Sequence, residues 1–473
     1  MKPNKLFNLL QSLTIKEFKE LEAYVKSPFL IKRRTDLPAF YQALKPFYPF
    51  TKIEAVTKEF LFEEVYSEQD FNGKKFRSLL SDFVKIIENY LLFLENEVDR
   101  FEKDKRLVAI YGKRNVYDEF TKGKKKLITS LEAAPYRDAN FYFNKYRLES
   151  DFYFHPKTQN RKEVNSLLEG IKDFESFFVL ERAKLGLDLK NMEKLYNITH
   201  DFNLEDFSNT NPKNNLIYIL FKKAFSLIDK QEKSIYLELY NLYKNEIKNL
   251  SKENQLVFFS ILQNFASQQL RINEKEYLPL IIKLYTLALE NEVLLNNGKI
   301  HVSIFINIII LNLKAEKYIW VEQTIEKYKD SIGGQEPKLT LKLANAFLRF
   351  QKENYFEVIK SLKQVKLQNI INHLRLRSLI IRTYFNIFLF DKNYFASLEN
   401  ESLSFEKYLS RNKEITSQRK IANLNFSKII RKISKVLNEE KWNSDIKSTI
   451  LSELNQTNLL AYKSWLIEQV TNL

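Results

Sequence analysis

The chain has no cysteine, only eight glycines and only ten prolines in 473 residues. Average usage would supply roughly 33 glycines and 24 prolines at this length. Without cysteine there is no disulfide, no thiolate metal site and no cysteine nucleophile. Strand-rich folds draw on Gly and Pro for their turns, and phosphate-binding α/β enzymes need glycine where backbone meets ligand. Long helices with short connections need neither, so the shortage points to an all-α chain. Long apolar runs are missing too. Nothing approaches the ~18 uncharged apolar residues of a membrane span. Met1 to Lys19 holds no apolar run beyond Leu6-Phe7 and Leu9-Leu10, so no secretory signal is expected. These absences together predict a soluble, cytoplasmic protein.

What is present supports a large core. Hydrophobic residues make up 44% and charged residues 28%, a mixture that excludes simple disorder. The length fits roughly two to four units. The formal charge of +16 is regional: residues 351–450 carry 19 Lys+Arg against 10 Asp+Glu, residues 101–150 carry 12 against 7, and residues 151–300 balance at 20 each. Such an excess arises where faces meet acidic partners, or simply from a Lys-rich, Asn-rich composition.

Helical periodicity runs throughout. Phe76, Leu79, Leu80, Phe83, Ile86, Ile87, Tyr90, Leu91 and Leu94 recur at i, i+3, i+4, i+7 after the turn signal Asn72-Gly73, and predict one apolar helix face. Thr14-x-x-Glu17 and Thr51-x-x-Glu54 read as capping boxes, the first opening a helix that ends before Ser27-Pro28. The polar stretch Asn203 to Asn215, with Asn211-Pro212, reads as a boundary. The expected organisation is an N-terminal helical domain over 1–202, helical repeats over 214–412 and closing helices over 413–473.

The repeats show as a recurring tyrosine. Glu276-Tyr277, Lys317-Tyr318, Asn354-Tyr355 and Asn393-Tyr394 place tyrosines 41, 37 and 39 residues apart, and Tyr236 stands another 41 upstream. Each follows one apolar helical run and precedes another. In the third copy Leu343, Phe347 and Phe350 face out of the first helix, and Tyr355, Ile359, Leu362 and Val365 out of the second. Neither stripe is buried alone, so the pair must close on itself and stack on its neighbours.

Leu343-Ala-Asn-Ala-Phe-Leu-Arg-Phe followed by Asn354-Tyr355-Phe-Glu-Val358-Ile resembles a tetratricopeptide repeat. Ala344 matches that family's small packing residue, Phe347 its aromatic, and Ser397 in the next copy fits its second small position better than Val358. The copies exceed the family's ~34 residues. The resemblance implies an α-α hairpin solenoid whose first helices line a groove, with Lys338, Asn345, Arg349, Arg377 and Tyr384 facing inward. Arginine and lysine there would hold carboxylates or phosphates. A second resemblance is N-terminal. Phe18-Lys-Glu-Leu-Glu-Ala-Tyr-Val-Lys-Ser-Pro-Phe29, Lys32-Arg33-Arg34, Phe40-Tyr41 and Phe47-Tyr48-Pro49 look like the start of uncharacterised proteins from Bacteroidota.

No catalytic constellation emerges. His155, His200, His301 and His373 lack zinc-type spacing, so neither a metal nor another cofactor is expected. Gly73-Lys74-Lys75 and Gly123-Lys124-Lys125-Lys126 lack the paired glycines and Ser/Thr of a phosphate loop and read as solvated turns. The aromatics Phe141 to Phe154 beside Arg137, Lys145 and Arg147 suit either base stacking or a core. Phe426, Ile429, Ile430, Ile433, Val436 and Leu437, flanked by Lys428, Arg431, Lys432 and Lys435, suit an anionic membrane surface, a partner's groove or a helix that closes the array. The reading is a non-catalytic scaffold for an acidic peptide or protein. The alternative is a nucleic-acid or ribosome-associated repeat protein. Oligomeric state is not readable.

Overall fold

The structure, a computed structural model, describes residues 4–29, 34–50, 56–98, 100–155, 164–196, 215–334, 336–363 and 365–473. Most of the 203–215 stretch, Thr51-x-x-Glu54 and His200 lie outside these. The described residues form twenty-two α-helices, three short 3-10 turns and three very short strands, so the chain is all-α. None of these helices is long and apolar enough to cross a membrane. Two units separate: Met1–Ala134 with Ala139–Phe177, and Pro135–Asp138 with Phe178–Leu473.

In the first unit, α1 (Lys5–Ser12), α2 (Ile15–Val25), α3 (Asp36–Leu44), α4 (Lys58–Val65) and α5 (Gly73–Val98) share an aromatic core. The periodic face of α5 is its anchor: Phe76, Leu79, Phe83, Ile86, Ile87 and Tyr90 are buried, and Leu80, Leu91 and Leu94 pack against them. Thr14 and Glu17 form the reciprocal capping box at the start of α2. The N-terminal motif residues serve this core. Phe18, Phe40 and Tyr41 are buried in it, and Tyr41 Oη donates to Phe18 O at 2.8 Å. Arg34 bridges Asp36 and Asp82.

A second core of this unit joins α6 (Arg100–Lys113), α7 (Tyr117–Glu132) and α8 (Ala139–Tyr153), and the start of α9 (Val164–Tyr196) packs on α8 through Phe174 beside Tyr146 and Phe177 beside Phe143. Here one expectation is corrected. Gly123-Lys124-Lys125-Lys126 is no turn but lies inside α7. Gly123 is there because α6 comes so close that a Cβ would stand 2.4 Å from Val108 Cγ2. Likewise Gly73 opens α5, whose first amides donate to Asn72 Oδ1. Phe141, Leu148 and Phe152 are core or packed against it.

The second unit is a succession of helix pairs: α10 (Leu216–Lys230) with α11 (Lys233–Glu246), α12 (Lys252–Gln269) with α13 (Glu274–Glu290), α14 (Val302–Lys314) with α15 (Tyr318–Tyr328), α16 (Pro337–Gln351) with α17 (Tyr355–Leu362), and α18 (Ile370–Phe390) with α19 (Phe395–Arg411). Each repeated tyrosine stands at the start of the second helix of its pair. The rings lie against phenylalanines of first helices: Tyr236 and Tyr277 on Phe265, Tyr355 on Phe350. Ala344 and Val358 are fully buried. The shortage of glycine has a local answer. Glu292, Glu316, Glu353 and Glu440 take the left-handed conformation just past helix ends, where glycine is the usual occupant. At Glu353, for example, its own N–H bonds Phe350 O and that of Asn354 bonds Arg349 O, the double closure of a Schellman turn. A small ribbon braces the middle, with Leu295 opposite Ile300 (antiparallel) and Ile300 beside Ile332 (parallel).

The chain closes with α20 (Ser417–Asn438), α21 (Ser444–Gln456) and α22 (Lys463–Asn472). The apolar face of α20 is spent in a core with α18, α19, α21 and α22, where Phe426, Ile430 and Ile433 are fully buried. Two of its flanking cations are paired across helices, Arg431 with Glu399 and Glu406, Lys432 with Glu453.

Candidate functional site

The five residues singled out from the repeat resemblance lie on α16 and α18. Lys338 is exposed at the start of α16. Asn345 is half-buried and bonds back to Leu341 O at 3.0 Å. Arg349 pairs with Glu357 of α17 at 3.8 Å. Arg377 is held more firmly by α19: its Nε is 3.2 Å from Glu401 and its Nη2 donates to Ser404 at 2.8 Å. Tyr384, two turns on from Arg377, packs near Tyr394, and burial pushes its hydroxyl pKa up. Each arginine is therefore engaged inside its own helix pair.

The opposite face of α18 is different. Residues 372, 375, 378, 382 and 386 fall within about 120° of one another at 100° per residue, turned some 200° from Arg377. All five are polar, Asn372, Arg375, Ser378, Arg382 and Asn386, and they share the arc with Ile371, Leu379 and Leu389. All five except Arg375, which is half-buried, are buried. α18 can carry them because it is packed nearly all round, against α14, α16, α17 and α19. The Arg375 fork is set by neutral acceptors, Nη2 donating to Asn307 Oδ1 of α14 at 2.5 Å and Nη1 to Asn372 Oδ1 at 3.1 Å. Arg382 is only 8% exposed and sits among rings, 4.3 Å from the Tyr462 centroid, 5.0 Å from Phe350 and 5.7 Å from Trp465.

Among the described residues no carboxylate lies within ion-pair distance of Arg375, Arg382 or the exposed Arg419 of α20. Burial pulls the pKa of Arg375 and Arg382 below the usual arginine value, and the like charge of Arg419 adds to the pull on Arg375. Arginine nonetheless stays protonated in proteins. Three buried polar atoms on this face lack a hydrogen-bond partner: Asn372 Nδ2, Arg382 Nε and Asn386 Oδ1. Such atoms are rare in folded proteins and call for an explanation. Some lysines of the same unit contrast with this. Lys223, Lys233, Lys314, Lys352 and Lys432 each pair with a glutamate of another helix.

The described histidines have structural partners. His155 bonds Gly112 O and stacks on Phe120, His301 caps α14, and His373 accepts from Leu367 N. Among the described residues no three His, Asp or Glu side chains are grouped to hold a metal ion. No protein-family model, no curated protein and no solved structure matches the chain. The polar face of α18 was missed in the sequence because Arg375 and Arg382 sit among leucines and isoleucines. Their spacing of seven, repeated doubly by Asn372 and Asn386, was the available signal.

Proposed function

We propose that this protein is a non-catalytic binding scaffold, its second unit a hairpin array of the tetratricopeptide-repeat type, and that it takes an acidic segment of a protein partner on the first-helix side of the repeats. The observation that carries the reading is desolvated charge without an acid. Arg382 is buried and Arg375 half-buried with no carboxylate of the described residues in ion-pair distance, while several lysines of the unit, Lys223, Lys314 and Lys352 among them, pair with glutamates of neighbouring helices. Desolvated charge is costly without a partner, and the partner that the described residues do not provide is an anion. Nucleic acid would need a run of free cations along a backbone track. Residues 151–300, with 20 acids against 20 bases, interrupt such a track.

The test is affinity capture from native cytoplasm, with and without nuclease, using the full chain and an Arg375→Glu, Arg419→Glu double variant. The expected result is a protein partner retained after nuclease, released by salt and lost with the double variant. Release of all bound material by nuclease would replace this reading with the nucleic-acid one.

A further inference from the structure

The polar face of α18 has the make-up of a defined seat rather than a diffuse basic patch. Arg375 spends two of its five N–H groups on Asn307 and Asn372, and both acceptors are neutral amides from different helices. They fix the plane of the guanidinium without cancelling its charge. A guanidinium so oriented offers its remaining donors as a fork, the geometry that matches a carboxylate. Behind it, Arg382 is more than nine-tenths buried, held by ring faces instead of an acid. A cation over rings keeps its full charge and offers no anion of its own, so Arg382 adds a second unanswered charge to this face. Exposed Arg419 adds a like charge that disfavours the charged form of Arg375. Two like charges without an acid repel one another, and one anion at Arg375 relieves both.

The walls give the second half of the chemistry. Tyr285 and Tyr462 both bear electrostatically on Arg375, and Tyr462 with Trp465 covers Arg382. Resting on the scaffold reading above, we infer that Arg375, oriented by Asn307 and Asn372 and joined by exposed Arg419, is the seat for a single side-chain carboxylate of an acidic peptide, whose neighbouring residues lie along Tyr462. A polyphosphate backbone fits less well. The repeats offer it no continuous basic track, since residues 151–300 hold as many acids as bases, 20 of each.

The probe is a fluorescent hexaglutamate peptide, followed by anisotropy with the full-length protein at low salt, with hexauridylate RNA as the second arm. Wild type is expected to bind hexaglutamate more tightly than hexauridylate. Arg375→Gln is expected to weaken peptide binding at least tenfold, and Lys223→Gln, a lysine paired with Glu238, to leave it unchanged. Should Arg375→Gln lose its helical circular dichroism, exposed Arg419→Gln decides instead, with an expected loss of about threefold. Failure of hexaglutamate to bind, equal binding by wild type and the arginine variants, or preference for hexauridylate each overturns the seat. The probe needs no partner, so the seat and the scaffold fail separately. Capture that survives Arg375→Gln would leave the scaffold standing without this seat, and hexaglutamate binding without any captured protein would do the reverse.

Discussion

Both units bury cations, and they neutralise them differently. In the first unit Lys124, on the α7 face turned to α8, lies 2.8 Å from Glu149 and 4.0 Å from the Phe152 ring centre. Lys145 stands between Glu132 at 3.3 Å and Asp173 at 3.8 Å. In the second unit Arg375 and Arg382 have amides and rings for company. The first arrangement is complete within the chain and points to structure. The second is incomplete among the described residues and points outward. A buried charge is thus informative less by its burial than by who answers it.

Removing one member of a complete pair should produce the largest effect. Lys124→Met leaves Glu149 buried with no counter-charge, and urea denaturation is expected to show a loss of about 3 kcal/mol. A change below ~1 kcal/mol would place that pair in effective contact with water. Next comes the backbone approach that brings α7 onto α6. Replacing a helical glycine by alanine ordinarily stabilises, but here the new methyl meets Val108 at 2.4 Å. Gly123→Ala is expected to cost about 1–3 kcal/mol, and Val108→Ala in the same chain to return part of it.

Asp173 is the imperfect member of the first unit. It is 5% exposed, its Oδ2 has no hydrogen-bond partner, and burial pushes its pKa up to about 6 against the pull of Lys145. A folded value above the unfolded one means that the native state holds the extra proton between about pH 4 and pH 6, so this group's contribution falls as pH rises through that window. Asp173→Asn is expected to stabilise on the order of 1–2 kcal/mol at pH 7.5 and not at pH 4, read from thermal melts at both. Equal effects at the two pH values would show that the carboxylate is no strained acid. The smallest effect belongs to the second unit. Arg382→Met keeps the volume and removes the unanswered charge, so stability is expected to stay level or rise by about 1 kcal/mol. A loss greater than that would mean the rings satisfy Arg382, and the contrast between the units would collapse.

Helices and cores were legible in the sequence wherever one face was apolar and the other wet. The Phe76–Leu94 stripe is the anchor of its core, and the tyrosine period lands on the first turns of second helices. The binding face was not legible, for a physical reason. Periodicity separates buried from exposed positions, and α18 is buried almost all round, so its polar residues break the pattern without declaring a direction. Arg377 and Arg375, two residues apart, look alike in sequence and point to opposite sides of the helix. Lys124 was misread similarly: a basic run beside a glycine reads as a turn unless the closeness of α6 is known.

The ring cage of Arg382 also sets an order of events during synthesis. Phe350 precedes Arg382 in the chain, but Tyr462 and Trp465 follow it by about eighty residues. Most pairs of the second unit can close as soon as their own second helix emerges, since their contacts are with neighbours in sequence. The cage cannot, because until α22 docks, Arg382 has one ring beside it. This face is therefore finished after the repeats, and a chain that stops short of Tyr462 has its repeats formed and this face still unassembled.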